Sequence, residues 1–392
     1  MKTFIESRLL RATAVVVGIL AVSGLSAGAT QYVVANDDMV APFPTGVSFY
    51  AVAPNGLLTL QQQVVTGGSG IGGGFFGANR ISVLNSGNQG CVYASDAGSG
   101  GIVGIVVSTL TVGGRATGSV TDAGTSNGIG LAVNERYLYA SFTDSNTIGT
   151  FQVQPGCGLA FVSDVSVAGL QDGIINAMKV HGNMLIATYT DGSIESFDIS
   201  GGTPVSNGDK QNSTATLTSQ GATYPNSIDI TRDGHYAIFG DTSTSVVVEV
   251  SDISSGKLTE TVVYKSTASI SSSNIMLSPD EAVLYVVNTQ GDRVSAAFFN
   301  KTTGKVSGGC TSGRLRGLSE NFSYLAGLAL ASPTGNGGGV YVAEFGSSSA
   351  IAMVKFSSSG RDCSLREVPQ SPVADLNSPG LLSIGTFPPR SF

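Results

Sequence analysis

A strand motif anchored on Tyr or Ile recurs along the chain. Its first copy lacks an inner strand that the last segment can supply, and the composition is poor in charge and rich in glycine. These three observations predict an all-β fold: a seven-bladed β-propeller closed by the C-terminal strand completing the first blade. Charged residues make up 12%, Gly numbers 53 and Trp is absent, which suits short strands and tight turns. Hydrophobic residues reach 41%, too many for a disordered chain.

Each repeat pairs an apolar strand with a second strand carrying the anchor. Asn79–Val83 leads to Cys91–Ala94, Ile129–Val133 to Tyr137–Ala140, and Met178–Val180 to Met184–Ala187. Ile228–Ile230 leads to Tyr236–Phe239, Ile275–Leu277 to Val283–Val286, and Leu328–Leu330 to Val340–Ala343. The anchors Tyr93, Tyr139, Ile186, Ile238, Tyr285 and Tyr341 are spaced 46, 47, 52, 47 and 56 residues apart. A third alternating strand follows, as at Thr147–Val153, Ser193–Ile199 and Val246–Val250. A turn such as Ser255–Leu258 or Thr303–Val306 closes the unit. About four short strands per period is the blade of a propeller. Tyr32–Ala35 and Val47–Val52 form a seventh unit without an inner strand, and Leu381–Ile384 can complete it, removing two open edges. A β-sandwich leaves seven units of one type unexplained.

Residues 1–29 read as a signal peptide, leaving 30–392 as a single propeller domain. Lys2, Arg8 and Arg11 precede an apolar stretch from Ala12 to Leu25, and Ala27-Gly28-Ala29 offers a small-x-small cleavage site. A secreted or periplasmic protein is expected, with no membrane span after cleavage. The mature charge is (20−3) − (27−1) = −9, which speaks against nucleic-acid partners. Cys91, Cys157, Cys310 and Cys363 form an even set without a CxxC pair, so disulfides are expected rather than zinc. Three pairings are open. Cys310 and Cys363 follow the third strands of successive blades, and Cys157 takes the same turn in blade 3 with Cys91 next to it in blade 2. The repeat therefore favours Cys91–Cys157 and Cys310–Cys363.

Leu277-Ser278-Pro279-Asp280, followed by Leu284-Tyr285-Val286-Val287-Asn288, and Thr231-Arg232-Asp233-Gly234 resemble the repeats of lactonase-type and YVTN-type seven-bladed propellers. That family includes 6-phosphogluconolactonase-like proteins and 3-carboxymuconate lactonizing enzymes. The likeness covers nearly the whole mature chain, and its motifs are turn and core residues. It implies ligands on the face carrying the loop into each inner strand and the loop after each second strand, around a central channel. It also implies a lactone of a small acidic substrate, handled by a His with acidic and Arg residues.

Asn79, Asn127, Asn176, Asn226 and Asn274 recur before inner strands, with Asn377 before the closing strand. They read as turn caps or as a ring of amides at the channel mouth. An acidic or amide residue follows each second strand: Asn36 to Asp38, Asp96, Asp144, Asp191, Asp241, Asn288 and Glu344. Such carboxylates serve as turn formers, Ca²⁺ ligands or acid–base groups. No DxDxDG loop supports a structural Ca²⁺, and no cofactor is expected; quinone propellers are disfavoured without Trp. Arg80 and Arg293 are candidate channel cations. His181 and His235 fall in turns between first and second strands, on the other face, so a serine nucleophile has no base, and no GxSxG elbow occurs. Gly67–Gly74 reads as a connection between blades 1 and 2, not a phosphate loop, because no Lys-Ser/Thr follows. Asn212, Asn300 and Asn321 sit in Asn-x-Ser/Thr sequons. The expected function is a monomeric scaffold binding a small molecule, glycan or protein; the alternative is an enzyme hydrolysing or forming a lactone.

Overall fold

A computed structural model describes residues 30–37, 39–40, 45–71, 80–86, 89–117, 128–212, 225–241, 248–264, 272–288, 292–316, 324–331, 339–345, 349–359, 362–374 and 383–389. The expected signal peptide, Asn79, Asn127, Asn321 and Asn377 lie outside them, as does the side chain of Asp241.

Seven antiparallel sheets form, one per repeat. From inner to outer strand, blade 2 is Ile81–Ser86, Gln89–Asp96, Gly101–Val106 and Thr111–Thr117, and blade 3 is Ile129–Val133, Tyr137–Phe142, Thr147–Gln154 and Gly158–Ser166. Blade 4 holds Ile175–His181, Met184–Tyr189 and Ser193–Asp198, edged by the short strands Val205–Ser206 and Gln211–Asn212. Blade 5 is Pro225–Ile230, Tyr236–Asp241, Val248–Asp252 and Glu260–Tyr264. Blade 6 is Ser272–Leu277, Val283–Asn288, Arg293–Asn300 and Lys305–Thr311. Blade 7 is Tyr324–Ala331, Gly339–Phe345, Ala350–Ser359 and Asp362–Glu367, with Val373–Ala374 beside its third strand. Blade 1 joins both ends of the domain: Ser383–Phe387 lies inside Tyr32–Asn36, Gly46–Val52 and Leu58–Val65. The closing pairs run from Tyr32↔Phe387 to Asn36↔Ser383. The expected closing segment Leu381–Ile384 is described from Ser383 onward, and Leu381 and Leu382 lie outside the described residues.

Strand alternation sends successive side chains toward opposite neighbouring blades. The core is accordingly seven clusters, one per blade interface. Tyr285 and Val287 of blade 6 meet Val340 and Val342 of blade 7, while Tyr341 and Ala343 turn the other way to meet Val33 and Ala35 of blade 1. Tyrosines of second strands, two of them anchors, add polar staples between blades. Tyr139 Oη donates to the Gly202 carbonyl (2.8 Å), Tyr341 Oη to Gly56 (2.7 Å) and Tyr236 Oη to Thr302 (3.4 Å). Burial lifts the Tyr341 phenol to about 12, so it remains a neutral donor.

The motif residues behind the family likeness are turn builders. Thr231 Oγ1 donates to Asp233 Oδ1 (2.7 Å) and accepts the Tyr236 N–H (2.9 Å). Ser278 repeats this with Asp280 (2.6 Å) and the Val283 N–H (3.0 Å).

Both expected disulfides are present, Cys91–Cys157 between blades 2 and 3 and Cys310–Cys363 between blades 6 and 7. Their places in the repeat differ from expectation. Cys310 and Cys363 lie on outer strands rather than in turns, and only Cys157 occupies the turn after a third strand. That turn enters blade 2 closely: a Cβ at Gly104 would stand 2.0 Å from the Cys157 carbonyl oxygen. Each bridge contributes about 2–4 kcal/mol, chiefly by restricting the unfolded chain.

Candidate acid–base site between blades 6 and 7

Antiparallel pairing places the start of every inner strand, the end of every second strand, the start of every third and the end of every outer strand at one end of a blade. The position three residues past each anchor lies there. Its occupants are Asp37, Asp96, Phe142, Tyr189, Asp241, Asn288 and Glu344, counting Val34 as the anchor of blade 1. Asp144 and Asp191 stand two residues farther on, in loops, so the acidic recurrence read from sequence joins two different positions.

Most of these groups are engaged. Asp37, fully buried, accepts from Ser48 Oγ (3.1 Å) and Gln63 Nε2. Asp96, also buried, accepts from Thr66 Oγ1 of blade 1 (2.8 Å) and lies 3.7 Å from Arg115. Asn288 donates to Ser295 Oγ (2.8 Å). Asp191 organises its loop by accepting from the N–H groups of Gln171 (2.7 Å), Gly173 (3.3 Å) and Ser193 (2.9 Å) and from Ser193 Oγ (2.6 Å). Burial opposes its ionisation, but these bonds win and hold the carboxyl below its ordinary range. Asp144 is exposed.

Glu344 differs. It shares its strand face with Val340 and Val342, so it points toward blade 6, and it is 1% exposed. Neither carboxyl oxygen has a hydrogen-bond partner among the described residues. Burial first, then the charges of Glu367 and Asp292, push its pKa up to about 8. Both neighbours are held by arginines from the segment after blade 6's outer strand. Arg314 Nε and an η nitrogen each lie 2.9 Å from Asp292 Oδ2. The Arg316 N–H donates to Glu367 Oε2 (2.8 Å), with Arg316 Nε at 3.3 Å. Leu315, between them, is buried in the interface cluster. A carboxyl poised near neutrality between two ion pairs can give and take a proton in the physiological range.

The amide set is split. Asn176 Nδ2 donates to the Pro225 carbonyl of blade 5 (3.0 Å), and Asn36 Nδ2 to Ser95 of blade 2 (3.0 Å). Asn176 and Asn226 are bulge residues at the starts of their inner strands. In blade 6 the bulge residue is Ser273, so Asn274 is one register step out of the ring. Asn226 Oδ1 is buried without a partner among the described residues. Arg80 is 1% exposed, whereas Arg293 is exposed. Among the described residues no group of three or more His, Cys, Asp or Glu could hold a metal ion.

The family described as "Lactonase, 7-bladed beta-propeller" matches residues 91–374. The chain belongs to that lactonase family. No curated protein matches the sequence. Among solved structures, a periplasmic gluconolactonase of Pseudomonas aeruginosa is similar, with a TM-score of 0.64 and 13% identity over 91% of this chain and 99% of that one. A candidate 6-phosphogluconolactonase of Bacteroides fragilis gives 0.62 and 14% over 92% and 99%. A protein of unknown function from Desulfotomaculum acetoxidans gives 0.62 and 12% over 90% and 98%. At such identities the likeness is one of fold.

Family membership sharpens the absence of a channel histidine. The chain's two histidines occupy turns at the opposite end of their blades. His181 ends blade 4's inner strand, against Gly234. His235 Nε2 lies 3.3 Å from Asp252 and its ring stacks on Tyr236 at 4.3 Å. Sequence reasoning missed Asp292, Arg314, Arg316 and Glu367; the Arg-x-Arg pair in so weakly charged a chain was the available signal. It also missed Glu195 in blade 4, a carboxylate fully satisfied by Lys210 Nζ (3.1 Å), Tyr189 Oη (2.9 Å) and Ser206 Oγ (2.6 Å).

Proposed function

We propose that this protein is an exported hydrolase of small acidic lactones, with Glu344 as its acid–base group. The observation that carries this is the buried carboxyl, without a hydrogen-bond partner among the described residues and raised to about 8, near two arginine-held carboxylates. Family membership supports the reaction class, and the two disulfides support an oxidising compartment, periplasmic or extracellular. As carboxylate, Glu344 takes a proton from the water that attacks the lactone carbonyl. As acid, it returns that proton to the departing ring oxygen, and a hydroxy acid results. A group titrating near the working pH populates both forms. The exposed Arg293 at the same end supplies positive charge for an acidic substrate.

A screen of sugar-acid lactones, with and without Ca²⁺, tests the reading. The wild type is expected to hydrolyse one class, and Glu344→Gln to lose about 10²–10⁴ of the rate. Hydrolysis by Glu344→Gln at the wild-type rate would remove Glu344 from the reaction.

A further inference from the structure

We infer that residues Ser312–Arg316 form a strap over the Glu344 site, locked by the Cys310–Cys363 disulfide and released by a protein dithiol. The inference rests on the reading of Glu344 as the acid–base group and assigns that site its regulation. The strap leaves blade 6's outer strand and crosses to blade 7. Its first part is bound at home: Val294 N–H donates to Ser312 Oγ (3.0 Å), and Leu315 N–H to the Asp292 carbonyl (2.9 Å). Its end is bound to blade 7, where Arg316 donates to Glu367 and to the carbonyls of Val368 and Pro369. Arg314 and Arg316 thus hold the two carboxylates that bracket Glu344, and Leu315 plugs the interface between them.

Blade 7 grips this connection twice, covalently at Cys310 on the outer strand two residues before Ser312 and non-covalently at Arg316. The Arg316 side chain is half exposed, and solvent-screened pairs of that kind hold little by themselves. The disulfide is therefore the lock. It is also the accessible bridge of the two. Cys91 and Cys157 are fully buried in the interface of blades 2 and 3. Cys310 and Cys363 are partly exposed, beside exposed Ser307, Gly308, Gly309 and Asp362. A dithiol's thiolate attacks one sulfur and expels the other cysteine as thiolate. Its second thiol then resolves the mixed disulfide. The protein gains two electrons and two protons as Cys310 and Cys363 thiols, and the dithiol leaves as its disulfide.

Dithiothreitol titration of the intact oxidised chain, with iodoacetamide trapping and mass mapping, tests the order of opening. Cys310 and Cys363 are expected to be trapped at about tenfold lower reductant than Cys91 and Cys157. After that first opening, amide exchange at Ser312 and Leu315 should accelerate. The Glu344 carboxyl, followed by ¹³C NMR, should titrate lower, and lactone hydrolysis should rise. The Cys310→Ser/Cys363→Ser variant should reproduce the reduced state; if it does not fold, the partially reduced wild type serves. Prior or simultaneous opening of Cys91–Cys157, or unchanged exchange at Ser312–Arg316, overturns the strap. Faster exchange with equal hydrolysis in both states overturns its regulatory role. Faster exchange with no hydrolysis in either state leaves the strap standing and removes the hydrolase reading.

Discussion

Glu344 shows how one side chain can be set apart by what its neighbours lack. Asp37 and Asp96 occupy the equivalent place in blades 1 and 2 and are bonded by hydroxyl or amide donors. Glu344 receives none from the described residues and faces two like charges instead. Its raised pKa fixes a sign. Below about 4.5, folded and unfolded chains both hold the proton, and the contribution is complete. As pH climbs through about 8 the folded state must surrender a proton the unfolded state has already lost, and the contribution disappears. Glu344→Gln is therefore expected to be near neutral at pH 5 and stabilising by about 1–3 kcal/mol at pH 8.5, read by urea denaturation at both pH values. Asp96→Ala, by contrast, removes the 2.8 Å bond from the Thr66 hydroxyl and leaves it the Thr45 carbonyl at 3.1 Å, and should cost about 1 kcal/mol at neutral pH.

The blade is the repeating element, and its joints are local. Tyr341→Phe removes the bond to Gly56 across the closure of blades 7 and 1 and should lower stability by about 1 kcal/mol in equilibrium unfolding. Gly104→Ala drives a Cβ into the Cys157 carbonyl and should cost about 1–3 kcal/mol; a neutral result would mean the turn of Pro155–Cys157 yields easily. The strands were legible because alternation and turn chemistry are local properties. Register was less so: Ser383–Phe387 aligns by pairing with Tyr32–Asn36, which its own apolar residues do not specify.

At the scale of the molecule, the ring depends on its last five paired residues. Truncation before Ser383 bares the inner edge of Tyr32–Asn36 and removes Ile384 from the cluster joining blades 7 and 1. The truncated chain is expected to unfold at lower urea and to self-associate, measured by size-exclusion chromatography. A monomeric truncation with an unchanged midpoint would show that blade 1 holds without its fourth strand.

The seven-fold repeat and the lent strand were determined by the sequence, because each follows from position within a period; the cysteine pairings were reached by the neighbourhood of blades, although Cys310 and Cys363 lie on outer strands and not in the expected turns. Which acidic residues are equivalent was decided only in three dimensions, since Asp144 and Asp191 mimic Asp96 in sequence yet lie two residues beyond its place. The Glu344 site was likewise a tertiary outcome. Its neighbours Asp292, Arg314 and Glu367 come from separate strands and loops of two blades, and only the packing of those blades excludes water and brings their charges within reach of one another.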